Sequence, residues 1–375
     1  MKKIAFVVKM FQDSSFHGGG EKLFFKLIEK FIKKQYLVDI YCSESNVLTF
    51  EGINSIIVMQ NPYNHVDPVV METFYDEVKT AVLDKNYDLV ISENITPPVG
   101  VTFLQGHSLI HRQRKLKSIF ESLFYNFRSE KKTRIKYQDK WLKQGYKKIF
   151  VVSDIHKKDI IDNFNTPAEN ISVIYPGVDI PENILKPKNY TNDSVLTFGL
   201  SAPGFKIKGG YILLKALKLI KNKGYDFNAK IIYPKAKKNF GVKLLLKLYK
   251  IEKNVEFVNF QKNMQDFYNS VDCMVMPSYE DTFNLVTLEA MANKKICIVS
   301  SNCGASEIID DGENGFVFSM RNPEKNLAEK MMIVLNNKTL INKMSENAFL
   351  TANKFSWDKT FTEFENELEN MYSKI

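Results

Sequence analysis

The chain has 375 residues, of which 44% are hydrophobic and 25% charged, and its formal net charge is +9. This length predicts two domains, and the composition excludes an intrinsically disordered chain. The opening run MKKIAFVVKMF predicts a first strand rather than a cleavable leader, and no apolar run reaches the roughly 18 residues needed to span a membrane. The four cysteines lack a CxxC spacing, which predicts buried thiols in a cytoplasmic protein rather than a disulfide or metal framework.

Short β-branched runs alternate with longer amphipathic runs in the first half of the chain. The predicted strands are Ile4–Val8, Leu37–Tyr41, Ser55–Met59, Leu89–Ser92, Val101–Leu104, Ile149–Val152 and Ile171–Ile174. The predicted helices are Glu21–Lys33, Pro68–Asp84, one within Leu116–Lys143, and Ile155–Phe164. This alternation is typical of parallel sheets wound by helices.

The alternation restarts after a polar stretch with several prolines that is typical of a linker. The predicted strands are Val195–Phe198, Lys230–Tyr233, Val255–Val258, Cys273–Met276, Ile296–Ser300 and Gly315–Phe318. The predicted helices are Gly210–Lys221, Val242–Tyr249, Met264–Ser270, Asn284–Ala292, Glu324–Asn336 and Leu340–Asn353, followed by a last helix. We therefore predict two doubly wound α/β domains, residues 1–182 and 190–356, with a ligand cleft between them.

Two loops that follow predicted strands carry residues suited to an anionic ligand. Gly18, Gly19 and Gly20 precede the first helix, where glycines allow backbone amides to approach a phosphate closely. Lys206 and Lys208 hold the equivalent place in the second half, where they could neutralise a diphosphate. Each feature alone is also consistent with a flexible turn or with solvated lysines.

A third stretch, PSYEDTFNLVTLEAMA at 277–292, places carboxylates on both sides of a short apolar run. Asp281 precedes a predicted helix and Glu289 lies eight positions later, within it. The two carboxylates could reach one ligand from two sides, while the amides at the helix start hold its phosphates. The donor-binding residues predicted in this stretch are Asp281, Phe283, Asn284, Leu285, Val286 and Glu289.

This stretch resembles the signature of the retaining family-4 glycosyltransferases of GT-B fold. The resemblance extends to HGGGEKLF near the amino terminus, to GASEIIDDGENGFVF at 304–318 and to FSWDKT near the carboxyl terminus. It implies two Rossmann-like domains with a donor-binding cleft between them, and a terminal helix, residues 357–375, that completes the first domain. It also implies transfer of a sugar from a nucleoside diphosphate sugar, with no metal or other cofactor.

The resemblance assigns catalytic roles to three residues, His107, Lys208 and Asp281. His107 follows a predicted strand, where the family often has a histidine beside the donor sugar. The family's phosphate-binding arginine is replaced by Pro203, which makes Lys206 the residue expected to substitute for it. Asn284 stands where the family usually has glycine.

The positive charge is concentrated between Arg112 and Lys148, a segment with a net charge of +10. We call residues 112–148 the basic segment. Its apolar stripe and its aromatic residues predict peripheral binding to an anionic membrane, on the inner face of the plasma membrane. The membrane or acceptor contacts predicted in this segment are Arg112, Arg114, Lys115, Lys131, Lys132 and Arg134.

Taken together, the motifs predict a retaining, metal-independent hexosyltransferase of cell-surface polysaccharide assembly, similar to bacterial lipopolysaccharide-core enzymes. The expected donor is a uridine diphosphate sugar, and the expected acceptor is a glycan or a lipid-linked glycan. One alternative is a sugar-nucleotide epimerase of similar fold. Another is a non-catalytic protein that binds sugar nucleotides, or nucleic acid through the basic segment, although no nucleic-acid partner is expected.

Overall fold

The computed structural model describes most of the chain. The described residues are 2–12, 19–60, 68–94, 99–106, 129–143, 145–164, 166–184, 190–191, 193–260 and 263–372, without the side chains of 19, 20, 68, 71, 129–134, 237 and 372. The chain divides into two compact units, which we call the first unit (Met1–Pro176 with Trp357–Ile375) and the second unit (Gly177–Ser356). The division falls at Pro176, before the polar stretch that the sequence marks as a linker.

Over its described residues, the first unit contains a seven-stranded sheet in which every neighbouring pair is parallel. Its strands are β1 (Lys3–Phe11), β2 (Leu37–Ser45), β3 (Ser55–Val58), β4 (Leu89–Glu93), β5 (Val101–Phe103), β6 (Lys148–Val151) and β7 (Ile171–Val173). Its helices before the second unit are α1 (Gly19–Lys33), α2 (Pro68–Leu83), α3 (Ser129–Lys143) and α4 (Asp154–Phe164). The strand order is β3-β2-β1-β4-β5-β6-β7.

The described part of the second unit contains a six-stranded sheet that is also parallel throughout. Its strands are β8 (Thr197–Ser201), β9 (Asn228–Ile232), β10 (Val255–Val258), β11 (Cys273–Met276), β12 (Ile296–Ser300) and β13 (Phe316–Phe318). Its helices are α5 (Gly210–Asn222), α6 (Phe240–Tyr249), α7 (Met264–Asn269), α8 (Leu285–Ala292), α9 (Pro323–Asn336) and α10 (Lys338–Ala352). The strand order is β10-β9-β8-β11-β12-β13.

Both strand orders reverse direction in the middle of the sheet, between β1 and β4 in the first unit and between β8 and β11 in the second. At such a switch point the loops after the two central strands diverge, and the crevice between them is where doubly wound sheets bind ligands. The prediction of two Rossmann-like α/β domains is confirmed. The switch point between β8 and β11 directs attention to the loops at 202–209 and 277–284.

Strand β8 begins two residues later than its pattern predicts. The sequence predicts a strand from Val195, whereas β8 runs from Thr197 to Ser201. Val195 is exposed, and pairing with β9 starts at Thr197. A β-branched residue at a strand entrance has the same pattern as one inside the strand, and only the pairing separates them.

The four cysteines are free thiols and all are buried, as predicted. Burial raises the pKa of Cys42 to about 11 and raises the pKa of Cys273 and Cys303 well above the usual range. These thiols therefore remain protonated near neutral pH and act as small apolar side chains.

The last helix, α11 (Trp357–Tyr372), belongs to the first unit although it follows the second unit in sequence. Its Phe361 ring lies 5.0 Å from the Phe31 ring on α1, and its Phe364 ring lies 4.6 Å from the Phe150 ring on β6. The first unit is thus assembled from both ends of the chain. Among the described residues, no helix combines the length and the apolar character needed to cross a bilayer.

We expect Phe364→Ala to destabilise the first unit by about 3–5 kcal/mol, because the ring is fully buried and its removal leaves a cavity. Hydrogen exchange should speed up in β5 and β6, which carry Phe103 and Phe150, and should stay unchanged in the second unit. Asn366→Ala, an exposed position on the same helix, is the control and should have little effect. Unchanged exchange in β6 would contradict this packing of α11.

Candidate active site

The loop after β8 runs against the end of β11 with no room for a side chain. Gly209 has a φ of +76°, and a Cβ atom added there would lie 1.8 Å from the carbonyl oxygen of Pro277. In the same contact, the Tyr279 N–H donates to the Ile207 carbonyl at 3.0 Å. Both the positive φ and the close approach require glycine. This contact holds the residue before the glycine, Lys208, beside the loop that follows β11.

Lys208 and Asp281 form the central ion pair of this site. The Lys208 Nζ lies 2.6 Å from the Asp281 Oδ2, with 32% of the lysine side chain and 11% of the aspartate side chain exposed. The two residues are 73 positions apart and meet because β8 and β11 are neighbours in the sheet. The partly exposed lysine can reach an incoming anion, while the aspartate fixes its position.

Asn284 links the Asp281 carboxylate to the start of α8. It has a φ of +76°, its Nδ2 donates to the Asp281 Oδ2 at 2.9 Å, and its Oδ1 accepts from the Thr287 N–H at 3.2 Å. Asparagine is one of the few residues other than glycine that adopt this left-handed conformation readily. The asparagine therefore keeps the backbone geometry and adds a side chain that caps the helix and orients the aspartate.

The residues that follow β12, the next strand in the sheet, support the loop after β11 from its other side. The Asp281 N–H donates to the Asn302 carbonyl at 3.3 Å, and the Gly304 N–H donates to the Asp281 carbonyl at 2.9 Å. The Ala305 N–H donates to the Phe283 carbonyl at 2.7 Å. Three consecutive strand ends, those of β8, β11 and β12, thus converge on the backbone around Asp281 and make its position rigid.

Glu289 lies on the second turn of α8, where its carboxylate meets a buried tyrosine. The Tyr268 hydroxyl donates to the Glu289 Oε2 at 2.9 Å, and Tyr268 is only 2% exposed. Burial, followed by the nearby Glu289 carboxylate, raises the pKa of Tyr268 well above its usual range. The hydroxyl therefore stays protonated and acts as a donor to one oxygen of the carboxylate.

The remaining predicted residues of the second unit surround this core of the site. Helix α8 begins at Leu285, one residue later than predicted, because Asn284 is its cap. Phe283 is buried, so its ring packs in the core while its carbonyl joins the backbone contacts described above. Leu285 and Val286 supply the first amides of the helix. Lys206 is exposed. Burial raises the pKa of Tyr279, and the nearby charge of Lys206 acts in the opposite direction.

Two family models match successive parts of the chain. Residues 17–182 match the family described as Glycosyltransferase Family 4, and residues 188–351 match the one described as Glycosyl transferases group 1. The chain belongs to the family-4-like glycosyltransferases. The two matches correspond to the first and second units and together leave only short parts of the chain uncovered.

Curated relatives of this glycosyltransferase agree with the assignment. An uncharacterised glycosyltransferase from Haemophilus influenzae is 24% identical over 370 residues, which is 97% of this chain and 99% of the relative. An uncharacterised glycosyltransferase from Methanocaldococcus jannaschii is 33% identical over 218 residues, which is 56% of each chain. The second match therefore spans about half the length of that relative.

Solved structures show that the fold is GT-B. WaaG, a glycosyltransferase involved in lipopolysaccharide biosynthesis, superposes with a TM-score of 0.74 at 17% identity, covering 93% of this chain and 95% of WaaG. The Anabaena protein HepE in complex with UDP and glucose also gives a TM-score of 0.74, at 16% identity, covering 99% of this chain and 100% of HepE. At these identities the likeness concerns the fold alone.

Several predicted site residues of the glycosyltransferase lie outside the described residues. These are Gly18, His107, Arg112, Arg114 and Lys115. Gly19 and Gly20 are the first residues of α1, whose start the sequence predicts at Glu21. Lys131, Lys132 and Arg134 lie on α3, and their side chains are outside the description.

The described part of the basic segment includes two aromatic residues on α3, and both are buried. Tyr137 and Trp141, one helical turn apart on α3, are buried, and both rings contact Tyr75 on α2. These aromatic rings pack in the core of the first unit and are not available to stack on nucleic-acid bases. Lys140 pairs with Glu72 at 3.0 Å. The burial of Tyr137 and Trp141 removes them from the alternative in which the basic segment stacks on nucleic-acid bases.

Sequence reasoning missed Tyr268. Tyr268 is 21 residues before Glu289 and lies on a different helix. No motif in its neighbourhood marks it. Across the described residues, no group of three or more His, Cys, Asp or Glu side chains is arranged to hold a metal ion.

The contact between Tyr268 and Glu289 predicts a specific pattern of stability changes. Glu289→Ala should destabilise the second unit by about 1–3 kcal/mol, because it leaves a buried hydroxyl without its acceptor. Glu289→Gln, which retains an acceptor oxygen, should cost less. Adding Tyr268→Phe to Glu289→Ala should restore part of the loss, since the hydroxyl that lacks an acceptor is then removed. Urea unfolding of the unmodified protein, of the single variants Glu289→Ala and Tyr268→Phe, and of their double variant measures this cycle, and strictly additive effects would contradict the contact.

Proposed function

We propose that this glycosyltransferase transfers a hexose, with retention of configuration and without a metal, from a nucleoside diphosphate sugar. The proposed donor is a uridine diphosphate sugar. The proposed acceptor is a glycan or lipid-linked glycan in cell-surface polysaccharide assembly. The observation that carries the proposal is the Lys208–Asp281 pair at the switch point of the second sheet, next to the amino terminus of α8.

The chemistry of glycosyl transfer matches these groups. Breaking the anomeric C–O bond leaves a diphosphate, on which negative charge develops in the transition state. Fixed cations and amides that face the developing charge lower the barrier most effectively. In this proposal Lys208 and the amides at Leu285 and Val286 meet the diphosphate.

The two carboxylates have different proposed tasks. Asp281, held by Lys208 and Asn284, accepts hydrogen bonds from hydroxyls of the transferred sugar. Glu289, held by Tyr268, accepts from the hydroxyls of the ribose. A carboxylate has about four acceptor positions, so the observed donors leave capacity for ligand hydroxyls on each group.

Retention is proposed to follow from attack on the face that the leaving group departs from. In that mechanism an oxygen of the departing diphosphate takes the proton of the acceptor hydroxyl, and no side chain is required as the general base. His107 is proposed to position the donor sugar or to stabilise positive charge at its anomeric carbon. Lys206 is proposed to supply the phosphate contact that an arginine makes in the family.

The donor and acceptor classes draw support from the similar structures. HepE binds UDP and glucose, and WaaG is involved in lipopolysaccharide biosynthesis. A lipid-linked acceptor would be met at a membrane surface. The basic segment, through Arg112, Arg114, Lys115, Lys131, Lys132 and Arg134, is proposed to bind anionic lipids at the inner face of the plasma membrane.

A calorimetric screen of uridine, guanosine and adenosine diphosphate sugars tests this proposal. The screen is run with a chelator present throughout, because no metal is required in the proposed mechanism. We expect a uridine diphosphate sugar to bind and, with a suitable acceptor, to be consumed with retention at the anomeric carbon. Donor turnover that appears only when a divalent metal is added in excess over the chelator would contradict the metal-free mechanism. Conversion of the donor to its epimer would instead identify an epimerase.

Glu289→Gln should weaken donor binding by about 10- to 100-fold, since each hydrogen bond to a charged group contributes about 1.5–3 kcal/mol. The substitution keeps an acceptor for Tyr268, so the fold should survive. Glu313→Gln is the control, because Glu313 is an exposed acid of the same unit and outside the site. Titration calorimetry with the donor found in the screen measures the effect. An unchanged affinity would remove Glu289 from the donor site.

Lys208→Ala should lower kcat by about 100-fold, because the loss of a preorganised charge-stabilising group acts on the transition state. Lys206→Ala should give a smaller decrease if Lys206 replaces the family's arginine. Lys223→Ala, which removes the same charge at the far end of α5, is the control and should leave kcat unchanged. Initial rates at saturating donor measure kcat for the unmodified protein and for each of the three variants. A Lys208→Ala enzyme with the rate of the unmodified protein would contradict the proposed role.

A further inference from the structure

Helix α6 exposes an apolar stripe that the proposed catalytic chemistry does not use. Phe240, Leu244 and Leu248 recur every fourth residue and are 77%, 45% and 63% exposed. The opposite face of the helix is ordinary core, because Val242 and Leu246 are buried in the second unit. Residues spaced by four lie above one another on a helix, so the three side chains form one continuous outward stripe.

A stripe of lysines runs beside the apolar one. Lys243 and Lys247 are exposed and lie one position before Leu244 and Leu248, and Lys250 follows the helix. From residue 227 to residue 251 the sequence contains seven lysines and no aspartate or glutamate. The outer face of α6 therefore carries an apolar stripe with lysines beside it, and the charges on this helix are all positive.

The helix is preformed and rigid. The Asn239 Oδ1 accepts from the Val242 N–H at 3.1 Å, which caps the helix, and the Asn239 Nδ2 donates to the Tyr233 hydroxyl at 2.9 Å. Lys250 adopts the left-handed conformation and closes the carboxyl end of the helix. A partner would meet an ordered surface, with no folding to be completed on binding.

We propose that the outer face of α6 docks reversibly onto an anionic lipid surface. Phe240, Leu244 and Leu248 would enter the boundary between headgroups and acyl chains, while Lys243 and Lys247 meet lipid phosphates. This surface belongs to the second unit and is distinct from the basic segment of the first unit. The proposal does not depend on the donor or the acceptor.

The charge and the size of the patch favour a membrane over other partners. Two copies of this chain would bring two uniformly basic faces together, and a few side chains are far fewer than the roughly 20–30 residues a side of a standard protein interface. Nucleic acid would use the lysines but would leave the aliphatic stripe without a role, since its affinity comes mainly from phosphate contacts. A membrane uses both the apolar and the basic residues.

Vesicle sedimentation tests the docking with the complete protein and no donor. The protein should bind phosphatidylcholine vesicles that contain phosphatidylglycerol, in a salt-dependent manner, and should bind pure phosphatidylcholine much less. Lys243→Gln with Lys247→Gln should weaken binding by about fivefold for each lysine. Leu244→Ser with Leu248→Ser should weaken it by at least about tenfold, through the apolar contribution. Lys325→Gln with Lys343→Gln, exposed lysines on α9 and α10, removes equal charge and should have little effect.

A tryptophan at position 240 reports the depth of insertion. The native Trp141 and Trp357 are buried, so brominated lipids should quench the emission of Phe240→Trp more than that of the unmodified protein. Leu350→Trp, at an exposed apolar position on α10, is the matched control and should be quenched little.

Three outcomes would overturn the proposal. They are equal quenching at 240 and 350, absence of binding to the anionic vesicles, and binding that the α6 substitutions leave unchanged. If Lys131→Glu, Lys132→Glu and Arg134→Glu together abolish binding while the α6 variants bind normally, docking belongs to the basic segment and not to α6.

Discussion

The close approach of Gly209 to the Pro277 carbonyl is the constraint on which the site depends. It forces the loop after β8 against the loop after β11, and the backbone bond from Tyr279 to Ile207 locks the two loops together. The ion pair between Lys208 and Asp281 follows from this contact, because each residue is next to the point where the loops touch. A side chain at position 209 would collide with backbone, which has no rotamer by which to move away.

Once the two loops are locked, the polar groups of the site order one another. One oxygen of Asp281 accepts from both Lys208 and Asn284, and Asn284 also caps α8. The position of the carboxylate, the direction of the lysine and the start of the helix are therefore set together. Such an arrangement suits a ligand that carries both hydroxyls and phosphates, since acceptors for the former lie next to donors for the latter. An anion that enters would share Lys208 with Asp281 and would not have to organise it.

Much of this could be predicted from the sequence, because parallel strands and glycine loops have local signatures. The alternation of runs predicts both sheets, and the spacing of the motif at 277–292 selects Asp281 and Glu289. The partner of Glu289 could not be predicted, because Tyr268 reaches it only through the packing of two helices. The burial of Tyr137 and Trp141 could not be predicted for a related reason. They lie one turn apart on the inner face of α3, within a stretch whose overall charge indicates an exposed surface.

The same limitation explains why charge alone points to residues 112–148 and not to α6. Net charge adds along the sequence, so a long basic run dominates any count, whereas a docking surface depends on what lies exposed together. In α6 the exposed Leu244 and Leu248 stand on either side of the partly buried Leu245 and the buried Leu246. Sequence periodicity cannot tell which leucines face the core when the helix is apolar on two sides. Val242 and Leu246 pack in the core of the second unit. Only this packing shows that Leu244 and Leu248 lie at the surface, beside the lysines.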